Sequence, residues 1–173
     1  MFDKIYTFNG KHADMVNDLT REFDNKKNKL FERNYDVYKL APIIGFLYQR
    51  KADIDTSKDS KPTKIFVEQL MSNIDDFQFN YRLILLLDKN HEPNPQKRIE
   101  KAFRGNNDPE DEELYESYVR GGVEVLYEKL MDDVSSPDEY MTKLYDFLEE
   151  FDERYNQEID MDQVLELCRK ARA

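Results

Sequence analysis

Apolar residues recur at helical spacing along most of the chain. From Lys11, Met15, Leu19 and Phe23 share one face with Val16 beside them. That spacing predicts a first helix running on into "NKKNKLFERN". Asn34 is a suitable cap for a second helix over "YDVYKLAPIIGFLYQRK", with Val37, Leu40, Ile44 and Leu47 as its buried stripe. Pro42 lies inside it, removes one backbone donor and predicts a kink or a fresh start. Residues 52–63, "ADIDTSKDSKPT", are polar and turn-rich, which predicts an exposed loop. Thr63 is then placed to cap a third helix carrying Ile65, Phe66, Leu70 and Ile74. "DDFQFNYRLILLLDKN" is apolar on too many sides for a surface element. With no comparable strand beside it in sequence, it reads as a central buried helix.

The second half is punctuated more clearly. "QKRIEKAFRG" predicts a short helix closed by Gly105. Asp108 as cap, Pro109 at the first helical position and a first turn of acids predict a helix start. Ser136 and Glu139, with Pro137 between them, form a capping box. It launches a helix with Met141, Leu144, Tyr145 and Leu148 on one side. A last helix, "MDQVLELCRKA", is capped by Asp160. The opening "MFDKIYTFNG" alternates, and is a short strand or an extended N-terminal arm over residues 1–10. The expectation is an all-α chain, one compact helical domain of about seven helices over residues 1–173, without internal repeats.

One stretch resists this pattern. In "YVRGGVEVLYEKL" the apolar face Val119, Val123, Leu126, Leu130 continues through Gly121 and Gly122. Glycine inside a helix costs about 1 kcal/mol relative to alanine. Either Gly121 and Gly122 let a second helix, the one carrying Gly45, approach closely, or they end one helix and begin another.

Composition changes the picture in three ways. Eleven Phe and eleven Tyr supply a core although only 39% of residues are hydrophobic. The single Cys168 excludes an internal disulfide, and one Cys with two separated His excludes a zinc cluster of those ligands. No apolar run approaches the ~20 residues of a membrane span, and no basic segment followed by an apolar run marks a secretory signal. A cytoplasmic setting without membrane contact is expected. Charge is uneven: residues 1–105 carry a net +3 and residues 106–173 a net −14. The acidic helical half, 106–173, repels nucleic acid at long range. It is either a solvated surface, a surface for a basic partner, or an imitation of DNA phosphates.

Candidate chemistry is sparse. No nucleophile elbow, zinc-protease, P-loop or dinucleotide motif is present. His12, at the first helix start, and His91, in a proline-rich turn, read as unpaired and exposed. Cys168 reads as a buried, inert thiol. The pairs Asp75–Asp76 and Asp132–Asp133 and the run at 108–113 lie at helix starts or turns, where acids are expected for capping. Neither enzymatic activity nor a cofactor or metal is expected. Lys26, Lys27, Lys29 and Arg33 form the one dense basic cluster. It either complements a helix end or binds phosphate.

Three segments, "NYDVYKLAPIIGFLYQRK", "RLILLLDKN" and "ELYESYVRGGVEVLYEKL", together resemble small proteins associated with bacterial Dnd-type DNA phosphorothioation systems. The matching residues are Asp36, Val37, Leu40, Ala41, Gly45, Phe46 and Arg50, then Gly121, Gly122, Glu124, Leu126 and Leu130, within residues 34–130. Pro42 and the acidic extension beyond Ser136 depart from that pattern. The resemblance implies a non-enzymatic accessory protein of a DNA-modification or anti-phage defence system. It would dock on a larger protein of that system, with nucleic acid contacted at most indirectly. Lys26, Lys27, Lys29, Arg33, Arg50 and Arg120 are the candidate partner-binding residues, and Gly45, Gly121 and Gly122 the structural ones. The alternative is an acidic DNA mimic that inhibits a DNA-binding enzyme.

Overall fold

The computed structural model describes residues 1–57, 60–104, 108–134 and 136–155. Among these, seven helices surround a two-stranded ribbon: β1 (Tyr6–Phe8), α1 (Gly10–Leu19), α2 (Asn34–Leu47), β2 (Thr63–Ile65), α3 (Val67–Met71), α4 (Ile74–Leu87), α5 (Pro95–Arg104), α6 (Pro109–Leu130) and α7 (Pro137–Tyr155). The fold is predominantly helical. The expected last helix with its Asp160 cap, Cys168 and Gly105 lie outside the described residues.

α6 is the axis of the molecule, and α2, α1, α4 and α7 all pack on it. It starts where sequence places it, the Asp108 carboxylate accepting the Glu110 N–H at 3.0 Å with Pro109 at the first helical position. It then runs unbroken through Gly121 and Gly122 to Leu130. α2 is its largest partner, and the crossing is made backbone to backbone. A methyl group on Gly45 would overlap the Tyr118 carbonyl oxygen, and one on Gly122 the Ala41 carbonyl oxygen. At Gly121 the obstacle is the Arg50 carbonyl oxygen, just beyond the end of α2. That carbonyl is aimed by a left-handed helix ending. Gln49 takes φ 53°, the Arg50 N–H returns to the Gly45 carbonyl at 2.8 Å, and the Gln49 N–H returns to Phe46. The favourable close packing offsets the poor helix propensity of the three glycines. Pro42 sits inside α2, which is one continuous helix rather than two.

An aromatic cluster fills the space between this crossing and the ribbon. Tyr38 of α2 lies 4.3 Å from Tyr6 and 5.3 Å from Phe77 between ring centroids. Phe2 stacks on Phe77 and meets the edge of Tyr115. Tyr115 and Tyr118 are buried, whereas Tyr127 is half-buried, which settles their place as core.

Several local expectations are corrected. The first helix stops at Leu19 instead of entering the basic run. The Thr20 hydroxyl bonds back to the Val16 carbonyl, and the Asp24 carboxylate accepts the N–H groups of Lys26 and Asn28. This turn competes with helix, and Lys27 adopts φ 65° within it. The N-terminal segment contains strand β1, antiparallel to β2 with Tyr6 opposite Ile65 and Phe8 opposite Thr63. Thr63 is thus a strand residue, and the third helix starts after Phe66. α4 is not the central helix: Ile84 and Leu85 are buried, but Phe79 and Leu87 are exposed. In α2 the expected core residue Leu40 is exposed. In α7 the buried face is Tyr140 and Phe147, with Leu144 and Phe151 partly covered. Met141, Tyr145 and Leu148, expected to be core, face solvent.

Candidate functional site

A buried polar cluster lies where the segment following α2 crosses α1 and α6. α6 presents Glu113, Glu116, Arg120 and Glu124 along one face, at the helical spacing i, i+3, i+7, i+11. β1 and α1 bring Tyr6 and His12 opposite them, and Ile54 and Asp55 close the side. Tyr6, His12, Ile54, Asp55, Glu113, Glu116 and Arg120 line a cavity of about 170 Å³.

The charges of the cluster are mutually engaged. Glu124 receives His12 Nε2 at 3.2 Å, Lys11 Nζ at 2.7 Å and Arg50 Nη1 at 3.6 Å. Burial works to raise its pKa, but hydrogen bonds and charge from Lys11 and His12 outweigh burial and hold the carboxyl below its ordinary range. Burial likewise lowers His12, against the raising pull of Glu124. Arg120 donates from Nε to the Ala52 carbonyl at 2.7 Å and from Nη2 to Glu113. The Ala52 N–H reaches the Ser117 carbonyl at 3.0 Å. Asp55 accepts the Lys11 N–H at 2.7 Å and so places a carboxylate on the positive end of α1. Its carboxyl is held below the ordinary range by that hydrogen bond. Gly10, at φ 53°, makes room for this carboxylate where a side chain would collide with it. Residues 52–57 are therefore a strap fastened across α1 and α6.

Among the described residues, Glu116 and Tyr115 each keep a buried side-chain oxygen without a hydrogen-bond partner. Glu116 Oε1 accepts the Tyr38 hydroxyl at 3.0 Å, while Oε2 is buried without a partner. Burial pushes its pKa up to about 7, against hydrogen bonds from the Tyr6 and Tyr38 hydroxyls and the charge of Arg120. The tyrosines around it are driven upward by the same burial and stay neutral well into the alkaline range.

A second polar cluster ties α4 and α5 to α6. Asp88, buried at the end of α4, accepts the Tyr118 hydroxyl at 2.8 Å and the N–H groups of Asn90 and His91. Buried Asp111 lies 2.5 Å from His91 Nε2 and 2.7 Å from Lys101 Nζ.

These contacts revise the reading of single residues. His12 is buried and His91 half-buried, each against a carboxylate, rather than unpaired and exposed. The partners lie 112 and 20 residues away in sequence, and no local motif announces either pair. Arg120 is only 6% exposed and its guanidinium is spent on the strap, so it is not a surface residue. Arg50 is half-exposed and engaged with Glu124 and with Glu128, the latter at 3.0 Å. Lys26, Lys27 and Arg33 are exposed and Lys29 half-buried, all in the loop between α1 and α2 and none in the last turn of α1. The four cations thus share one loop, whereas Arg50 follows the end of α2 and Arg120 lies within α6.

Among the described residues no group of three or more His, Cys, Asp or Glu is arranged to hold a metal ion, and no helix is long and apolar enough to cross a membrane. The described surface also exposes large apolar side chains: Phe79, Phe103 and Tyr145 are each more than 60% exposed, and Met141 and Leu148 more than half.

Comparison with known proteins supplies the context. The model of the DNA sulphur modification system-associated protein 4 family matches residues 8–164, and the chain belongs to that family. No curated protein and no solved structure matches the chain. The chain is therefore associated with a DNA sulphur modification system.

Proposed function

We propose that the protein is a non-enzymatic, cytoplasmic accessory component of a DNA sulphur modification system, acting in anti-phage defence by contact with a larger protein of that system. The observation that carries this reading is the contrast between interior and surface. His12, His91, Asp111, Arg120 and Glu124 are consumed in fastening segments of the fold to one another. Large apolar side chains, in contrast, stand in solvent on α4, α5 and α7. Isolated apolar residues on a surface need no explanation, but several along one helix mark a contact site.

A second reading rests on the acids of α6 and α7: the protein occupies the DNA channel of an enzyme as a mimic. Salt separates the two. Tagged protein recovered from nuclease-treated lysate of its native cells retains its partner through a high-salt wash if the contact is apolar. Ionic mimicry fails in that wash. Recovery of no protein of the modification system under either wash refutes both readings.

A further inference from the structure

Among the described residues, the outer face of α7 carries an apolar pattern that stands in solvent. Met141, Tyr145 and Leu148 follow one another at i, i+4 and i+7, and are 56%, 63% and 57% exposed. At 1.5 Å per residue they form a stripe about 10 Å long. Projecting the helix at 100° per residue puts Asp138, Asp146, Glu149 and Glu153 along one flank of this stripe, and all four are exposed. The opposite flank turns inward to Leu144, Tyr140 and Phe147, which join the core. The cations of α7, Lys143 and Arg154, lie on the far side of the acids from the stripe. The exposed surface of α7 is thus an apolar ridge with an acidic rail on one side, ended at its C-terminal side by exposed Asp152 in line with it.

We propose that this ridge is the docking site for a basic amphipathic helix of the partner protein, resting on the accessory role inferred above. The complement of an apolar ridge with a one-sided acidic rail is a helix with apolar residues at i, i+3 or i+4 and i+7 and Lys or Arg along one edge. The apolar stripe supplies affinity, while the rail orients the incoming helix and speeds encounter. Phe103, the exposed aromatic residue of α5, does not offer this combination. It has the guanidinium of Arg82 6.0 Å from its ring, a basic rather than acidic neighbourhood.

The experiment places a photo-crosslinking phenylalanine derivative at Tyr145 in the full-length protein in its native cells, with Phe79 as the control position. In parallel, the tagged wild type and the double variant Y145S/L148S are recovered from nuclease-treated lysate. Both substitutions are at solvent-exposed positions, and a circular dichroism spectrum identical to wild type establishes that the variant is folded. The expected result is a cross-link from position 145, and not from 79, to a helix-patterned segment of one protein of the modification system with Lys or Arg on one edge. Retention of that protein falls tenfold or more in the double variant. A wild-type protein that holds its partner equally well with both serines in place overturns the docking site but leaves the accessory role standing. A cross-link to an acidic or neutral segment, to a second copy or within the same chain also overturns it. A wild type that retains no partner removes the accessory role, and this inference with it.

Discussion

Glu116 gives the structure a pH dependence that one substitution removes. Its carboxyl has a folded-state pKa of about 7, against an ordinary value of 4.5. Below pH 4.5 it is protonated in both folded and unfolded chains, and burial carries no penalty. Between the two values the unfolded chain has lost its proton while the native state still holds one, so stability falls as pH rises. Above about pH 7 both states are ionised and the penalty is complete. A pKa difference of that size corresponds to about 3 kcal/mol at about 1.4 kcal/mol per tenfold change in proton affinity. Glu116→Gln keeps the shape and the acceptor for the Tyr38 hydroxyl, and cannot ionise. The variant is therefore expected to be more stable than wild type, and its advantage is expected to grow by about 2 kcal/mol between about pH 5.5 and about pH 8.5. Urea denaturation followed by far-ultraviolet circular dichroism at a series of pH values measures this difference directly. A variant no more stable than wild type at the alkaline end, or an advantage that does not change with pH, refutes the reasoning.

Other consequences follow from the same contacts. Gly122→Ala is expected to lose roughly 2 kcal/mol or more in urea denaturation despite the better helix propensity of alanine, because its methyl meets the Ala41 carbonyl rather than a movable side chain. An unchanged or raised midpoint would mean that α2 and α6 do not cross there. Proton NMR of His12 should titrate below the ordinary 6.5, since burial is the largest influence on it; a midpoint above that value would show that Glu124 dominates instead. Arg120→Ala leaves the Ala52 carbonyl without its donor and should speed hydrogen exchange across residues 50–57, with a loss of roughly 2 kcal/mol in stability. Unaltered exchange would show that the strap is held by other contacts. Replacing Lys26, Lys27, Lys29 and Arg33 together by glutamine should leave partner retention unchanged in the salt-washed recovery, and its loss would move the contact to that loop.

The parts of this fold that were legible in sequence are those governed by local chemistry. Asp108 and Pro109 mark the start of α6 because capping and dipole effects act within one turn. The glycines hinted at a close approach, but only the Tyr118, Ala41 and Arg50 carbonyls show what approaches. Where sequence reasoning went astray, a longer-range or competing effect decided the outcome. The periodic run after Leu19 looked helical until the Asp24 turn captured it. Three-residue strands pair across more than fifty positions and leave almost no pattern of their own. α7 has apolar residues on two adjacent faces, and spacing alone does not say which one meets α6. His12 and Arg120 were misplaced because the carboxylate and carbonyl that hold them come from distant segments.

The central claim, that this protein works through a stable, largely apolar contact with a protein of the modification system, is tested most directly by sedimentation velocity. The purified chain is mixed with the partner recovered from its own cells, free of nucleic acid, at about 1 M salt, where the screening length is about 3 Å. The account predicts one complex of fixed stoichiometry at that salt. Two separately sedimenting species at high salt, joined only when the salt is lowered, would contradict it and favour ionic mimicry of DNA.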